Sequence, residues 1–198
     1  MATGTHGHGK DDPAGALWLR RAAPADAALI WPWRNEPSVG RYQPILVTGV
    51  DELGRSLAAQ ASRSLDTVFV GTARFIIETP SGPAGWITLR EVNREHRLGD
   101  IGYTIGEACR GRGYASAAVR RLLPIAFEDL ALDRLGAVAA TDNIASRRVL
   151  ERTGFVFEGV MRSYLIINGQ RVDHARYALL RADWEAGRQI GKDCQELS

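Results

Sequence analysis

The stretch Arg110-Gly111-Arg112-Gly113-Tyr114-Ala115 decides the fold, because it stands where an extended segment ends and the most regular helical pattern of the chain begins. Its two glycines let the main chain approach a bulky anion, and the first turn of a helix offers unpaired N–H groups and a dipole that attracts negative charge. A pyrophosphate group fits such a site, although a plain strand-to-helix turn with two glycines has the same pattern. The residues after Gly113 exclude a Walker loop and a Gly-x-Gly-x-x-Gly dinucleotide site.

The residues after this loop predict a helix over 115–130, because apolar side chains recur at the spacing of one buried helical face. These positions are Ala118, Val119, Leu122, Leu123, Ala126, Phe127 and Leu130. Pro124 interrupts the pattern and removes a backbone donor at a cost of about 3 kcal/mol, so we expect a kink near Arg120.

On both sides of the loop, strand and helix patterns complete the fold. Strands are predicted at residues 17–20, 67–78, 84–91, 100–105, 135–140, 155–167 and 170–180, and further helices at 25–34, 50–64 and 143–153. Asn168-Gly169 tolerates the positive φ angles that a two-residue hairpin turn requires. This order of elements indicates an α/β (α+β) fold, in which a mixed sheet carries helices on its faces.

Length and composition fit one globular domain, at residues 16–186. The chain has 198 residues, 45% of them hydrophobic, which is enough to form a sizeable core without disulfides or a metal. Residues 1–15 are predicted to be a disordered tail and residues 187–198 a polar C-terminal tail.

Charge, cysteine usage and hydropathy argue against several classes of function. The 25 basic and 23 acidic residues nearly cancel to a net charge of +2, which argues against a nucleic-acid partner. Cys109 and Cys194 lie far apart and outside any Cys/His cluster, so we expect no metal site. The start of the chain lacks a signal-peptide pattern and no apolar run has membrane-spanning length, so we expect a soluble, cytoplasmic protein with no membrane partner.

Several segments together resemble one known family. Arg110-x-x-Gly113-x-Ala115 is similar to the Arg/Gln-x-x-Gly-x-Gly/Ala signature of the GNAT superfamily of N-acyltransferases, which has the same order of elements. Other segments resemble its ribosomal-protein alanine N-acetyltransferase (RimJ/RimL-like) branch: Trp33 to Pro37, Asn143-x-x-Ser146, Leu150 to Phe155, Glu158 to Gln170, and Asp173-His174. The resemblance implies a single GNAT-like domain whose sheet has about seven, mostly antiparallel strands and splayed central strands.

The resemblance also implies acetyl-CoA as co-substrate. Its pantetheine arm would lie between the strands 100–105 and 135–140, and a backbone N–H near the end of the first strand would hold the oxyanion of a direct acetyl transfer. Without an acyl-enzyme, Cys109 is not expected to be a nucleophile. The residues expected to contact the cofactor are Ile105, Arg110, Gly111, Arg112, Gly113, Tyr114, Ala115, Asn143, Ser146 and Arg147.

Two proton transfers need side chains. Ser146 is the leading candidate for protonating the leaving thiolate, since it lies one helical turn from Asn143 on the same face. Tyr164 is the second candidate, because Leu150 occupies the position at which many relatives carry a catalytic tyrosine. Asp100 and Glu158 are the candidate bases, and a base acting through solvent is a further option because residues 137–140 contain no carboxylate.

The acceptor is expected at the variable front of the domain. Trp33, Arg34, Tyr42 and Asp173 are its candidate ligands, although core packing and a cross-strand polar pair are alternatives for the first and last of them. The function implied is acetylation of a primary amine, foremost a protein N-terminus. The alternatives are a polyamine or an antibiotic as acceptor, or a non-catalytic acyl-CoA sensor, in either case as a monomer or homodimer.

Overall fold

The computed structural model describes residues 16–44, 49–66 and 69–196, with side chains described up to residue 189. The strands are β1 (Trp18–Arg21), β2 (Gly71–Thr79), β3 (Gly82–Asn93), β4 (Leu98–Ile105), β5 (Arg134–Ala140), β6 (Val156–Ile167) and β7 (Gln170–Leu180). The α-helices are α1 (Ala27–Arg34), α2 (Pro37–Gly40), α3 (Val50–Ala61), α4 (Tyr114–Pro124), α5 (Ile144–Arg152) and α6 (Arg181–Glu196). The predicted tail at residues 1–15 lies outside the described residues.

The seven strands form one sheet in the order β1-β2-β3-β4-β5-β7-β6. Every neighbouring pair is antiparallel except β4 and β5, which are parallel because α4 carries the chain from one to the other. The predicted mixed, mostly antiparallel sheet of seven strands is therefore confirmed.

Helices cover both faces of the sheet because the strands alternate their apolar side chains between the two faces. On one face, here called the α1 face, Ile30, Leu53 and Leu57 of α1 and α3 pack against Ile76 and Trp86. The opposite face, the α4 face, is covered by α4 and α5, and its buried side chains belong to the larger apolar cluster of the protein. None of the described helices is long and apolar enough to cross a membrane.

The two central strands separate at their C-terminal ends. β4 and β5 pair only from Leu98 with Arg134 to Ile101 with Ala137, whereas β4 stays paired with β3 as far as Ile105 and β5 stays paired with β7 as far as Ala140. A V-shaped gap therefore opens between the two strands, as the family resemblance implies.

Two expectations about helices are wrong. The irregularity at Pro124 follows the proline instead of preceding it: residues Ile125–Asp129 form a π-helical turn in which Leu130 N–H donates to the Ile125 carbonyl at 3.0 Å. Proline lacks the N–H that would donate to the carbonyl four residues earlier. The wider π-helical turn after it accommodates this break in the α-helical hydrogen-bond pattern.

The C-terminal tail predicted at residues 187–198 is helical as far as Glu196, because α6 (Arg181–Glu196) continues into it. Its attachment is tertiary, since the Trp184 ring lies 5.2 Å from that of Phe127 and the Arg181 guanidinium donates to the carbonyl of Leu132 at 2.9 Å. One tryptophan among polar residues gives little helical periodicity, which is why the pattern was missed.

Candidate active site

The gap between β4 and β5 is lined by backbone groups that no strand uses. The Arg97 carbonyl accepts from Arg134 N–H on β5, and Gly106 N–H donates to Ala84 on β3. Backbone direction alternates along a strand, so the N–H and C=O groups of Tyr103 and Ile105 face the gap. By the same alternation Val138 and Ala140 face it from β5. The gap can therefore receive an extended amide-containing chain and can stabilise an oxyanion.

The N-terminus of α4 lies beside this gap. Gly113 caps the helix with φ of 78°, Gly111 has φ of 76°, and no side chain caps the first turn. That turn contains no acidic residue, so its N–H groups and the helix dipole are available to an anion. Tyr114 is buried and lines the cleft together with Gly111, Gly113 and Ala115, whereas Arg112 is exposed and does not.

Arg110 has a different task from the predicted one. Its Nε donates to the Ile105 carbonyl at 2.9 Å, and one Nη donates to the Glu36 carboxylate at 3.1 Å. The same carboxylate accepts from Glu107 N–H at 3.0 Å. Arg110 thus holds the loop against the end of β4 and the front connection, and it also lines the cleft.

Ser146 and Tyr103 form a hydroxyl pair at the gap. Asn143 caps α5 by accepting from Ser146 N–H at 3.1 Å, which places the Ser146 side chain beside β4. Tyr103 Oη lies 3.0 Å from Ser146 Oγ and 3.0 Å from the Ser146 carbonyl oxygen. Burial raises the pKa of Tyr103 to about 12, so the phenol keeps its proton across the neutral range. Both hydroxyls line the cleft and can donate a proton.

His174 and Tyr164 lie on the α1 face at the other edge of the gap. His174 pairs with Ala140 in the sheet register, is 2% exposed, and its ring is 5.5 Å from that of Tyr164. Its Nδ1 lies 3.1 Å from the Val172 carbonyl, a contact that fixes the proton on Nδ1 and leaves Nε2 as an acceptor. Both side chains line the cleft, so an imidazole is available as a base in addition to the carboxylates and the solvent-mediated base that the sequence offered.

The two predicted carboxylate bases are placed elsewhere. Both oxygens of Asp100 accept from Arg176, at 2.8 and 2.9 Å, above Gly136 of β5. Glu158 accepts from Arg134 at 2.5 Å, and this hydrogen bond lowers the pKa of Glu158. Neither carboxylate lines the cleft, because each lies on the paired part of the sheet. The assignment of Asp100 and Glu158 as bases is therefore corrected.

Three further predicted contacts are also structural. Arg147 donates to Tyr177 Oη at 3.0 Å and to the Thr141 carbonyl at 3.1 Å, so it points away from the cleft. Asp173 accepts from Ser163 N–H at 2.7 Å, and Trp33 stacks on Trp86 with ring centroids 6.3 Å apart. None of the three lines the cleft.

The cleft extends through the gap to both faces of the sheet and encloses about 1180 Å³, more than the roughly 300–1,000 Å³ of a single small-molecule site. On the α4 face it is bounded by the α4 loop, Asn143 and Ser146. On the α1 face it is bounded by Arg34 and Tyr42, two of the candidate acceptor ligands, and by His174. The volume and the two openings suit two substrates that meet in the gap.

Sequence reasoning missed two residues of this site, Tyr103 and His174 as a base. Tyr103 lies in the strand predicted at residues 100–105, and its place at the gap follows from the alternation along that strand. His174 was noted beside Asp173, and the strand alternation decides which of the two faces the cleft.

Comparisons with known proteins agree with this architecture. The family model described as acetyltransferase (GNAT) domain matches residues 16–156. The putative ribosomal N-acetyltransferase YdaF of Bacillus subtilis is 42% identical over 101 residues, which are 51% of this chain and 55% of that protein. A ribosomal protein-alanine N-acetyltransferase of Escherichia coli is 34% identical over 88 residues, 44% of this chain and 45% of that protein. These alignments span about half of the length of either relative.

A solved structure has the same fold. Spermidine N-acetyltransferase from Vibrio cholerae, in complex with CoA and spermine, superposes with a TM-score of 0.77 over 86% of this chain and 98% of that one, at 24% identity.

Proposed function

This chain belongs to the GNAT acetyltransferase family, and from that premise we propose that it transfers an acetyl group directly from acetyl-CoA to the primary amine of an acceptor, foremost the N-terminus of a protein. One observation carries the proposal. The N-terminus of α4, which suits an anion, opens directly into a gap that is lined by backbone groups outside the strand pairing and flanked by hydroxyl and imidazole side chains.

The residues on the α4 face fit acetyl-CoA. The N–H groups at the start of α4 suit the pyrophosphate, and the backbone groups of Tyr103 and Ile105 on one side and of Val138 and Ala140 on the other suit the amides of the pantetheine arm. Arg148 and Arg152 of α5, which line the cleft and are exposed, replace Arg147 as the candidate partners for the cofactor's phosphates.

The transfer needs three protein groups. The neutral amine attacks the thioester carbonyl carbon while a backbone N–H of β4 stabilises the oxygen, and the carbon–sulfur bond then breaks. His174 takes the proton from the ammonium form of the acceptor, directly or through water. Ser146, hydrogen-bonded to Tyr103, gives its proton to the thiolate and regains one from the attacking nitrogen as the amide forms, with Tyr164 as the second candidate donor.

We place a protein N-terminus first because two relatives are named as ribosomal N-acetyltransferases. A polyamine is the second candidate acceptor because spermidine N-acetyltransferase has the same fold. The test is release of free thiol from acetyl-CoA with three panels of acceptor: peptides that begin with alanine, polyamines, and aminoglycosides. Turnover with peptides supports the proposal, and turnover with polyamines alone would show that a polyamine is the acceptor. Tight CoA binding without turnover on any amine would identify a sensor and refute the enzyme.

A further inference from the structure

Three arginines from separate elements line the α1 face of the cleft: Arg34 at the end of α1, Arg74 on β2 and Arg90 on β3. They are called the arginine cluster below. Arg74 pairs with Thr88 across β2 and β3, and Arg90 lies two residues further along β3, so both side chains lie on the same face. Arg34 reaches the same part of the cleft from the helix above.

The cluster lacks the partners that buried guanidinium groups normally have. Nε of Arg34, Nε and Nη1 of Arg74 and Nε of Arg90 are buried without a hydrogen-bond partner in the described part of the chain. No ion pair between described residues involves any of the three. Asp100 is opposite Arg90 in the register, but Arg176 occupies both of its oxygens.

The electrostatic consequence is a pocket with an excess of positive charge, since the three arginines outnumber Glu91, which follows Arg90 and also lines the cleft. Burial lowers the pKa of Arg34, and burial followed by the charge of Arg34 lowers the pKa of Arg74 to about 10. Both groups nevertheless stay charged at neutral pH. Buried, unpaired charges of like sign destabilise a fold unless a counter-charge reaches them, so the pocket is complementary to an anion.

The position of the pocket relates it to the acceptor and not to the cofactor. The helix N-terminus that suits the pyrophosphate is on the α4 face, whereas the cluster is on the α1 face together with His174. β3 and β2 are the first and second neighbours of β4, so the cluster lies roughly 5–10 Å from the edge of the gap. An extended peptide advances about 3.3 Å per residue, so a side chain on its second or third residue reaches this distance.

We propose that the arginine cluster is a specificity site for an anionic group of the acceptor, and that the acceptor is an N-terminal peptide with a carboxylate at its second or third residue. This inference rests on the proposed function, because the N-terminal amine of the peptide is the group that would be acetylated. It separates this protein from polyamine acetyltransferases, because a polycation placed on the α1 face would be repelled by the cluster.

Matched peptides test the proposal. Peptides that begin Ala-Asp and Ala-Asn differ in charge only, and kcat/KM should be about tenfold or more higher for the acidic one. In the Arg74→Gln variant this preference should fall to about one, with little change for the neutral peptide. Arg55→Gln, at an exposed position on α3 outside the cleft, is the matched control and should keep the preference.

Two readouts separate specificity from a merely structural role. Removing an unpaired buried charge should leave the melting temperature of Arg74→Gln unchanged or raise it by roughly 2–4 °C, and CoA affinity measured by calorimetry should not change. Equal loss of activity with both peptides, or loss of CoA affinity, overturns the proposal. So does a wild-type protein without any preference for the acidic peptide.

Binding keeps the inference distinct from the proposed function. If no amine is acetylated, calorimetry with the two peptides and the CoA complex still tests the pocket. Tighter binding of the Ala-Asp peptide would support the anion site, provided that Arg74→Gln abolishes this difference in affinity, even though the proposed acetyl transfer had failed. Equal binding of both peptides would refute the anion site. Free aspartate and inorganic phosphate, titrated in parallel, show whether a small anion satisfies the pocket without a peptide.

Discussion

At the scale of single residues, the hydroxyl pair of Tyr103 and Ser146 is the feature on which the proposed proton transfer to the thiolate depends most directly. The two hydroxyl oxygens are 3.0 Å apart, so a proton can pass between them. Burial raises the pKa of the Tyr103 phenol, which therefore stays protonated at neutral pH. Ser146 alone would be an ordinary polar residue in a first helical turn. Its partner makes it a candidate acid.

Ser146→Ala should lower kcat by about 10²-fold, the usual contribution of a positioned acid, while the Kd of CoA changes little. Tyr103→Phe should lower kcat less if Tyr103 acts only through Ser146. Steady-state kinetics and calorimetry measure the two quantities. Ser62→Ala, at the exposed end of α3, serves as control, and full activity of Ser146→Ala would transfer the role to Tyr164 or to water.

Gly113→Asp should weaken CoA binding by tenfold or more. The residue caps α4 with φ of 78°, so a side chain adds strain, and a carboxylate at this place repels a pyrophosphate. Gly113→Ala adds the strain without the charge and should lose less affinity. Calorimetry that finds Gly113→Asp unchanged would contradict the placement of the phosphates.

At the scale of elements, the paired part of β4, β5 and β7 is held by a buried ion pair that crosses a glycine. A Cβ at Gly136 would lie 2.0 Å from Asp100 Oδ1 and 2.2 Å from one Nη of Arg176. The absence of a side chain there allows the Asp100–Arg176 pair to span three strands below the point where the gap opens.

Gly136→Ala should therefore lower the free energy of unfolding by about 2–4 kcal/mol, because it displaces a mostly buried ion pair. Gly102→Ala is the matched control on β4, since its nearest contact is Thr88 Oγ1 at an ordinary 3.5 Å. Urea unfolding compares the two variants. Equal stability of Gly136→Ala and wild type would show that the pair does not fix this region.

The C-terminal helix α6 is predicted to depend on one aromatic contact. Trp184→Ala should lower the free energy of unfolding by about 1–3 kcal/mol, because the ring packs on Phe127 at 5.2 Å. Trp18→Ala, at a site that is 49% exposed, should change it by less than about 1 kcal/mol. Thermal unfolding that ranks the two in the opposite order would contradict the docking of α6.

At the scale of the whole molecule, the proposed function places the two substrates on opposite faces of the sheet, where the gap between β4 and β5 would let them meet. This arrangement allows a ternary complex, and no covalent intermediate is needed. The half-buried thiol of Cys109 lines the cleft but lies beside the loop that suits the phosphates.

Initial-velocity plots should consequently intersect when acetyl-CoA and acceptor are varied together, because both must be bound before transfer. Cys109→Ser should keep kcat within about twofold of the wild type. Parallel plots, together with loss of activity in Cys109→Ser, would instead indicate an acyl-enzyme on this cysteine.

The sequence by itself determined the order of the strands and of helices α1, α3, α4 and α5, the glycine turn before α4 and the hairpin turn at Asn168-Gly169. These features follow from local chemistry, since hydrophobic periodicity, glycine conformation and helix ends act over a few residues. The family signature rests on the same local features, and the match to residues 16–156 confirms it.

Only the tertiary structure decided which side chains reach the cleft. Tyr103 and Ser146 are 43 residues apart in sequence, and Asp100 finds Arg176 at a separation of 76. The arginine cluster likewise combines a helix end and two strands. Such contacts depend on sheet register, on which face each residue occupies and on where β4 and β5 part. The alternation along a strand tells which of its residues share a face, but the register and the point at which β4 and β5 part arise from packing over the whole domain.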